Sequence, residues 1–428
     1  MRDSERHLDP PALKSPMESD IIFDHQRPAS QVAEREFKPR AAVYMLSAND
    51  KPILLATTAN LKHAVSLRLG VERAPHKTDY HAITTHVSWR YVNSAFAASW
   101  WYLRASRQYY PGQYRSLLAW RSPWFLCIDM GGPHKPPTLN VQNSVGRLDD
   151  FTFGPLASRR EASRLANWLL EQFDLCRFED ILRKSPRGQP CAYKEMGKCP
   201  APCDGSVSMD AYRQAVQDAV NLLRQMAPMA CTFASAADLP WYQQAAERMK
   251  QAAVVMNFRL AAKIKNQLQS LTDEFKSGPC GWGAVNQWRY MALQRGNTRR
   301  WIEPWIVRPG VCISLPPVEA KVAMADGAVF ISQLQKQMND LPLPPDIPPT
   351  ETSLVDDVFA LFTYHLNRSR DPGLYLLEAD LENESATAHR VAQWLGQTDS
   401  STVQEMASDA SATSGSGDPD AASEGERI

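Results

Sequence analysis

Residues 176–205 read CRFEDILRKSPRGQPCAYKEMGKCPAPCDG, and this stretch decides how the chain is interpreted. It carries four cysteines within fewer than thirty residues: Cys176, Cys191, Cys199 and Cys203. Two prolines stiffen the loop between the last two, because proline fixes its own φ angle. A tetrahedral zinc site and an iron-sulfur cluster both fit, since both accept four soft thiolate ligands. Unligated core thiols are the alternative, because free cysteine is often buried.

The whole chain sets the context for this cluster. Its 428 residues exceed what one hydrophobic core usually supports, so several compact units are expected. The 47 basic and 47 acidic groups give no global field for nucleic acid, so any DNA contact must come from local patches. The charged N-terminus does not fit a secretory signal, and no stretch approaches the roughly 20 apolar residues needed to span a bilayer. We expect a cytoplasmic protein without membrane contact, in which the cysteines do not form disulfides.

Outward from the cysteines, the pattern predicts an α+β multidomain protein. Residues without a sustained period and with few large apolar side chains are expected to be disordered. The predicted organisation is a disordered arm over 1–38, a small α/β domain over 39–118, a connector and cysteine-cluster domain over 119–230, a helical hairpin over 236–275, a mixed region over 276–396 that includes a proline-rich linker over 341–349, and a disordered tail over 397–428.

Local signals place several elements within these units. Short strands are predicted over 42–46 and 53–55, around a turn at Asn49 and Asp50. Helices are predicted to begin at Asn60, Ser94, Arg159 and Ser208. Further strands are predicted over 305–307 and 311–315.

Residues 240–271 are predicted to form two antiparallel helices with a turn near Asn257. Apolar and small side chains recur at helical spacing on both sides of that turn. They include Met249, Ala252, Ala253, Phe258, Ala261 and Ala262. Periodicity alone also fits an ordinary hairpin docked in its own domain.

The cysteine region resembles that of UvrC, the excinuclease subunit of bacterial nucleotide-excision repair. The resemblance rests on the order and approximate spacing of Phe153-Gly154-Pro155-Leu156, the following helix, the four cysteines, Tyr193, Ala201-Pro202, Gly205, Ser208 and Tyr212. In that family the four cysteines are thought to hold an iron-sulfur cluster, so the resemblance favours iron-sulfur over zinc.

The hairpin is similar to the UVR motif, through which UvrC associates with UvrB. This implies that the six residues above bind a UvrB-type partner. Arg259 stands where the family usually has an acid, and Lys265-Asn266 where it usually has Arg-Asp. The polar rim therefore differs, while the apolar contacts that carry most binding energy are kept.

Residues 41–118 resemble a degenerate GIY-YIG nuclease domain. Tyr44 lies in the first signature, and Lys77 and Thr78 match flanking positions. The arginine and the metal-binding glutamate of the family are replaced by Ala64 and Tyr102, so Tyr44, Ala64 and Tyr102 are vestigial positions. A methyl group and a protonated phenol cannot stabilise phosphoryl charge or hold a divalent ion. The domain is expected to be catalytically inactive.

A rebuilt site is the alternative, with Arg68, His63, His81 and His86 as candidate residues. Trp301, the run 305–308 and Gly310 resemble the segment that precedes the second, RNase H-like UvrC nuclease. That nuclease is expected to be absent or truncated.

These features lead to the hypothesis of a non-catalytic UvrC-like repair protein that binds a UvrB-type partner and DNA. The candidate phosphate contacts are basic residues close to the cysteines in sequence: Arg159, Arg160, Arg183, Lys184 and Arg187. An active endonuclease with a remodelled site and a metal-binding scaffold without a repair role are the alternatives.

Overall fold

The structure is a computed structural model that describes residues 15–49, 51–70, 78–132, 135–229, 235–277, 281–296, 298, 300–341, 352–367 and 373–396. Within these ranges the chain forms three antiparallel sheets with helices packed on their faces. This is the mixed α and β architecture that the sequence predicts. The predicted linker over 341–349, apart from Leu341, and the predicted tail over 397–428 lie outside the described residues.

The first sheet has the strand order β1-β4-β2-β3. Its strands are β1 Ser19–Ile22, β2 Ala42–Ala48, β3 Lys51–Thr58 and β4 His86–Tyr91. The accompanying helices are α1 Ala29–Glu36, α2 Leu61–Leu69, α3 Tyr80–Ile83, α4 Ala95–Tyr109 and α5 Tyr114–Leu117. The predicted turn between β2 and β3 is confirmed, with Asn49 in the left-handed region at φ 48°. Asn60 and Ser94 cap α2 and α4 as predicted.

The structure corrects the expectation of a disordered arm over residues 1–38. Residues 15–38 contain β1, which pairs with β4 at the sheet edge, and α1, which packs on α2. The Arg90 guanidinium on β4 holds this segment by donating to the carbonyl oxygens of Ser15 (2.6 Å) and Pro16 (2.7 Å). Such tertiary bonds leave no periodic signal in a short edge strand. Residues 1–14 lie outside the described residues.

The second sheet has the order β6-β5-β7-β8. Its strands are β5 Trp124–Asp129, β6 Thr138–Gln142, β7 Thr152–Leu156 and β8 Gly283–Ala284. Helices α6 Arg159–Gln172 and α9 Met209–Met229 pack against it. Their starting points agree with the helix starts predicted at Arg159 and Ser208. Between them lie α7 Glu179–Leu182, α8 Ala192–Glu195 and a short 3-10 helix at Pro202–Asp204. Helices α10 Pro240–Val254 and α11 Phe258–Ser277 form the predicted antiparallel hairpin before the chain returns to the sheet at β8.

The third sheet has the order β11-β10-β9-β13, with β12 also paired to β10. Its strands are β9 Tyr290–Arg295, β10 Trp301–Arg308, β11 Val311–Ser314, β12 Val318–Glu319 and β13 Leu374–Leu377. The helices of this unit are α12 Ala320–Ala325, α13 Gly327–Asn339 and α14 Thr352–Leu366, followed by a 3-10 helix at Glu378–Glu382 and a last helix over 384–396. The strand predicted over 305–307 lies in β10, and the one predicted over 311–315 corresponds to β11, which ends at Ser314.

One apolar core joins all three sheets. Phe96 on α4 lies 5.4 Å from the Trp305 ring on β10, and Phe125 on β5 lies 5.4 Å from Phe359 on α14. Trp288 packs edge-on against Phe359, so residues distant in sequence bury one another. The domain boundaries near 118 and 276 therefore stay predictions. None of the described helices combines the length and the apolar character needed to cross a membrane.

Candidate functional site

The four cysteines lie in the segment between α6 and α9. Cys176 follows Asp174, whose φ of 52° turns the chain after α6, and the Cys176 amide donates to the Tyr212 hydroxyl of α9 at 3.1 Å. Cys191 precedes the first residue of α8. Cys199 and Cys203 are buried on either side of Pro200-Ala201-Pro202, and Cys176 and Cys191 are half-buried.

Backbone and hydroxyl hydrogen bonds close this segment on itself. The Gly188 amide donates to the Cys203 carbonyl oxygen at 2.8 Å. The Ser185 hydroxyl donates to the Pro202 carbonyl oxygen at 2.7 Å. A Cβ at Gly188 would lie 3.1 Å from the carbonyl oxygen of Cys203, so glycine permits this close approach. The loop after α7 is therefore fastened to the turn that carries the last two cysteines.

The Cys176 thiol donates to the Phe178 carbonyl oxygen at 3.5 Å and interacts with the neighbouring Cys199 thiol. The interaction between the two thiols lowers the pKa of Cys199 and raises the pKa of Cys176, which burial raises further. Burial also raises the pKa of Cys203, whose charge acts on Cys176. The Ala201 amide points at the Cys199 sulfur from 3.4 Å. These contacts bring three of the four predicted ligands near one another.

The fit of a metal to this segment rests on its donor chemistry. In the parts of the chain that the structure describes, no three His, Cys, Asp or Glu side chains are already arranged to hold a metal ion. The four thiols nevertheless share one fastened segment, and Cys199 favours the thiolate form that metals require. The donor set suits a thiolate-bound centre, and ligation would require Cys191 to join the other three.

The hairpin is anchored to α6 along one side of α11. Trp168 on α6 donates its indole N–H to the Ser270 hydroxyl at 3.0 Å, and Arg164 forms an ion pair with the buried Glu274. Inside the hairpin, Ala245 of α10 packs with Ile264 and Leu268 of α11. The base of the hairpin is therefore fixed to the unit that carries the cysteines.

The tip of the hairpin exposes apolar side chains. They are Val254, Val255, Met256, Phe258 and Leu260, and we call them the hairpin tip. Met256 is 77% exposed and Phe258 is 67% exposed, although both side chains are large and apolar. Contiguous exposed apolar surface of this kind is typical of protein interaction sites.

The six predicted partner-binding residues divide between the inside and the outside of the hairpin. Ala252 is buried between the helices, and Met249 and Ala261 are half-buried. Ala253, Phe258 and Ala262 are exposed. Val254, Val255 and Leu260 were not among the residues predicted to bind a partner, although their place beside the predicted turn was a signal that they would be exposed.

The vestigial nuclease positions lie on the first sheet and its helices. Tyr44 is buried on β2, and burial raises its pKa, while a hydrogen bond from Arg68 on α2 lowers it. Ala64 is half-buried on the same helix, one turn before Arg68. Tyr102 on α4 donates its hydroxyl to the Leu117 carbonyl oxygen at 3.3 Å, and burial raises its pKa. Tyr102 is therefore a neutral phenol at this position.

The histidines considered for a rebuilt site have different surroundings. The His81 ring packs edge-on against Phe23 and His25 of the N-terminal segment. His86 contacts the Thr85 hydroxyl through Nδ1 at 3.0 Å, and His63 is exposed on α2. Lys77 lies outside the described residues, and Thr78 is exposed before α3.

The five predicted phosphate contacts are all exposed. Arg159 and Arg160 lie in the first turn of α6, with the Arg159 guanidinium 5.7 Å from the Trp124 ring. Arg183 forms an ion pair with Glu179, one turn earlier on α7. Lys184 and Arg187 form no ion pair with a carboxylate in the described parts of the chain. These two have free charges for an anionic ligand.

Beside the cysteines, the structure pairs Tyr193, which belongs to the cysteine-region resemblance, with Phe178, which was not singled out from the sequence. The Phe178 and Tyr193 rings lie 6.0 Å apart with an interplanar angle of 55°. The Arg177 guanidinium lies 5.0 Å from the centre of the Tyr193 ring. Phe178 is 44% exposed. The available signal was a phenylalanine between two charged residues in a short helical segment.

Comparison with known proteins shows that the chain is UvrC-like. Residues 124–222 match the family described as UvrC/Cho excinuclease, middle domain, which spans β5 to α9 and includes the four cysteines. The UvrABC system protein C of Caulobacter vibrioides is 22% identical over 244 residues, 53% of this chain and 36% of the relative. That of Shewanella piezotolerans is 27% identical over 138 residues, 32% of this chain and 21% of the relative. That of Serratia proteamaculans is 31% identical over 136 residues, 32% of this chain and 20% of the relative.

The matched part spans well under two thirds of these relatives' own lengths. No solved structure matches the chain.

Proposed function

We propose that this UvrC-like chain is a nucleotide-excision-repair subunit that binds a UvrB-type protein and DNA and does not itself cut DNA. The observation that carries the proposal is the hairpin tip, an exposed apolar surface on a hairpin anchored to the unit that matches the UvrC middle domain. Nucleotide-excision repair is the process that the family resemblance implies.

The partner surface follows from the hairpin geometry. Ala245, Ile264 and Leu268 hold the two helices together, so the tip can present Met256 and Phe258 without a change of fold. Large apolar side chains that are exposed in the free protein and buried in a complex contribute most of the binding energy. A hairpin of the UVR type on the partner would supply the complementary apolar face. The basic Arg259 would lie at the rim of this contact.

The cysteines are proposed to hold an iron-sulfur cluster, with zinc as the alternative. Cys176, Cys191, Cys199 and Cys203 would be its ligands. When bound, such a cluster would join the end of α6, the start of α8 and the turn before α9 through four sulfur bonds. Cys176 and Cys199 already lie in contact, and Cys203 is held by Gly188. A bound centre would stiffen the segment between α6 and α9.

The lack of cutting is proposed from what replaces the catalytic groups. Phosphodiester cleavage needs a metal ligand and a cation that stabilises the transition state. The Tyr102 phenol donates a hydrogen bond to a carbonyl oxygen, and its raised pKa keeps it neutral. Ala64 presents a methyl group. Neither side chain replaces the function of the family residue.

An active endonuclease with a remodelled site is the second candidate, and one contact favours it. Arg68 lies one helical turn beyond Ala64 and bonds to the Tyr44 hydroxyl, so a cation still reaches the first signature. In that case Arg68→Ala would abolish metal-dependent nicking.

The test is incision of a lesion-bearing duplex by the anaerobically purified full chain, with UvrA, UvrB and a divalent metal supplied. We expect the chain to join the UvrB complex on DNA and to leave the duplex uncut. Cuts that disappear in Arg68→Ala would establish the second candidate. Failure to join UvrB and to bind DNA would favour a metal-binding scaffold without a repair role.

A further inference from the structure

The exposed Phe178 ring and the half-buried Tyr193 ring lie side by side near the cysteines, and the exposed cations Lys184, Arg187 and Lys198 lie close to them in the chain. We call these five residues the aromatic-basic surface. We infer that this surface binds single-stranded DNA by stacking unpaired bases on the two rings while the cations contact the phosphates. The inference rests on the proposed function for its choice of DNA, and it adds a site and a ligand form.

The two rings come from the start of α7 and from α8, which the segment between α6 and α9 brings together. Phe178 precedes α7 and Tyr193 lies in α8, and their centroids are 6.0 Å apart. Phe178 is 44% exposed, a large fraction for a side chain that would ordinarily be buried. Arg177 lies 5.0 Å from the Tyr193 ring and is itself paired with Glu171. Arg177 thus holds one ring in place while the Phe178 ring faces solvent.

Three cations emerge close to these rings in the chain. The Lys198 amide donates to the Tyr193 carbonyl oxygen at 2.9 Å, which places Lys198 immediately after α8. The Lys184 amide donates to the Ile181 carbonyl oxygen at 3.1 Å, so Lys184 leaves the end of α7. Arg187 follows within the same turn.

These cations differ from their neighbours in having no acidic partner in the described parts of the chain. Arg183 is paired with Glu179, and Lys194 is paired with Asp204. Lys184, Arg187 and Lys198 are exposed, and none of them has a described carboxylate within ion-pair distance. Residues 176–205 carry six basic and four acidic side chains, although the chain as a whole is neutral. The local charge favours a polyanion over an acidic or neutral protein surface.

The two aromatic rings indicate whether the bound polyanion is single-stranded or duplex DNA. In duplex DNA the faces of the bases are stacked on one another, so they are not accessible to a side chain. Unpaired bases expose their faces, and proteins that bind single strands stack them on aromatic residues beside a basic track. A ring pair that exposes Phe178 and has unpaired cations close to it in the chain therefore predicts a preference for single-stranded over duplex DNA.

The first test measures fluorescence anisotropy of a labelled oligothymidine of about 12 nucleotides with the full chain. Replacing both rings, Phe178→Ala with Tyr193→Ala, is expected to weaken single-strand binding at least tenfold. The ring-keeping pair Phe178→Trp with Tyr193→Phe is expected to retain it. Leu67→Ala, which shortens an exposed apolar side chain on α2, is the matched control and should change nothing. Unchanged binding after loss of both rings would overturn the inference.

The duplex of the same length separates stacking from charge. Lys184→Gln with Arg187→Gln should weaken both forms of DNA and reduce the salt dependence of binding. The ring replacements should weaken single-strand binding much more than duplex binding. Equal weakening of both forms would overturn the stacking role. A single-stranded RNA of the same length tests whether the sugar matters, and a clear preference for RNA would overturn the choice of DNA.

Photocrosslinking locates the binding site even if the variant with Phe178→Ala and Tyr193→Ala does not fold. An oligonucleotide that carries iododeoxyuridine is irradiated with the unaltered full chain, and the crosslinked peptide is identified by mass spectrometry. Crosslinks at Phe178 or Tyr193 are expected, and crosslinks confined to other elements would overturn the site. A chain that joins UvrB but does not bind oligothymidine would refute this inference and leave partner binding standing. A chain that binds oligothymidine through the rings but never joins UvrB would refute the proposed partner alone.

Discussion

The Ser94 hydroxyl donates a hydrogen bond of 2.7 Å to the Glu303 carboxylate, 209 residues further along the chain. The same oxygen accepts from the Ala97 amide at 3.1 Å and so caps α4. The Ser94 side chain thereby caps α4, which accompanies the first sheet, and connects α4 to β10 of the third sheet. The relationship matters because α4 carries the vestigial position Tyr102.

Ser94→Ala should destabilise the protein by about 2 kcal/mol. The substitution removes both a helix cap and the hydrogen bond to the half-buried Glu303 carboxylate. Ser208→Ala is the matched control, since Ser208 caps α9 through the Ala211 amide alone. We expect that control to cost about 1 kcal/mol. Urea unfolding followed by tryptophan fluorescence measures both. Equal losses would mean that the contact with Glu303 contributes nothing.

Asp356 on α14 provides a prediction of pH dependence. Burial raises its pKa above that of the unfolded chain, although the Val145 amide donates to its carboxylate at 2.7 Å. A raised pKa in the folded state means that stability is fully present below the unfolded pKa and is lost as the pH rises through the folded value. Asp356→Asn keeps an acceptor for the Val145 amide and removes the buried charge. It should therefore raise stability at neutral pH and have little effect in acid.

The neighbouring Asp357 is the control for this prediction. It accepts from Tyr114 at 2.9 Å and pairs with Arg107, which joins α14 to α4 and α5. Asp357→Asn should destabilise the protein at neutral pH, because Arg107 would lose its partner. Thermal unfolding of both variants at neutral and acidic pH tests the contrast. A loss of stability at neutral pH in Asp356→Asn would contradict the sign derived from burial.

The cysteine cluster leads to a prediction about bound metal. The full chain purified anaerobically should contain iron and inorganic sulfide, with the broad visible absorption of an iron-sulfur centre. Cys199→Ser and Cys203→Ser should each lose most of the iron, because serine lacks the soft sulfur ligand. Cys127→Ser on β5 is the matched control and should keep it. Stoichiometric zinc without sulfide would support the zinc alternative, and neither metal would refute the cluster.

The hairpin tip leads to a prediction about partner binding. Phe258→Ala should weaken capture of UvrB at least tenfold, because it removes a large exposed apolar side chain from the contact. Val329→Ala on α13, also an exposed apolar residue, should leave capture unchanged. The two variants are compared in a pull-down of purified UvrB, with helicity checked by circular dichroism. Equal capture by wild type and Phe258→Ala would place any UvrB contact elsewhere.

Much of the fold was predictable because its signals are local. Asn60, Ser94 and Ser208 each bond to an amide three residues ahead, so a helix start is readable within one turn of sequence. The hairpin was predictable for the same reason, since its apolar period and its turn lie within adjacent residues. The four cysteines are similarly conspicuous by spacing alone.

The site itself depended on contacts between distant residues. The edge strand β1 pairs with β4, and Arg90 on β4 binds the carbonyl oxygens of Ser15 and Pro16 just before β1, 75 and 74 residues away. Arg68 meets Tyr44 only because α2 packs on β2. Hydrophobic periodicity in the sequence does not indicate which distant residues will make contact.

By itself, the sequence determined the helices, the hairpin, the cysteine set and the resemblance to UvrC, because each depends on residue types at short spacing. The tertiary structure alone decided which thiols lie close together, which apolar residues form the hairpin tip and that the exposed Phe178 ring lies beside Tyr193. The physical reason is that burial and pairing are properties of the packed chain. A side chain is exposed or paired according to what packing brings to it, and the neighbours that decide this lie many residues away.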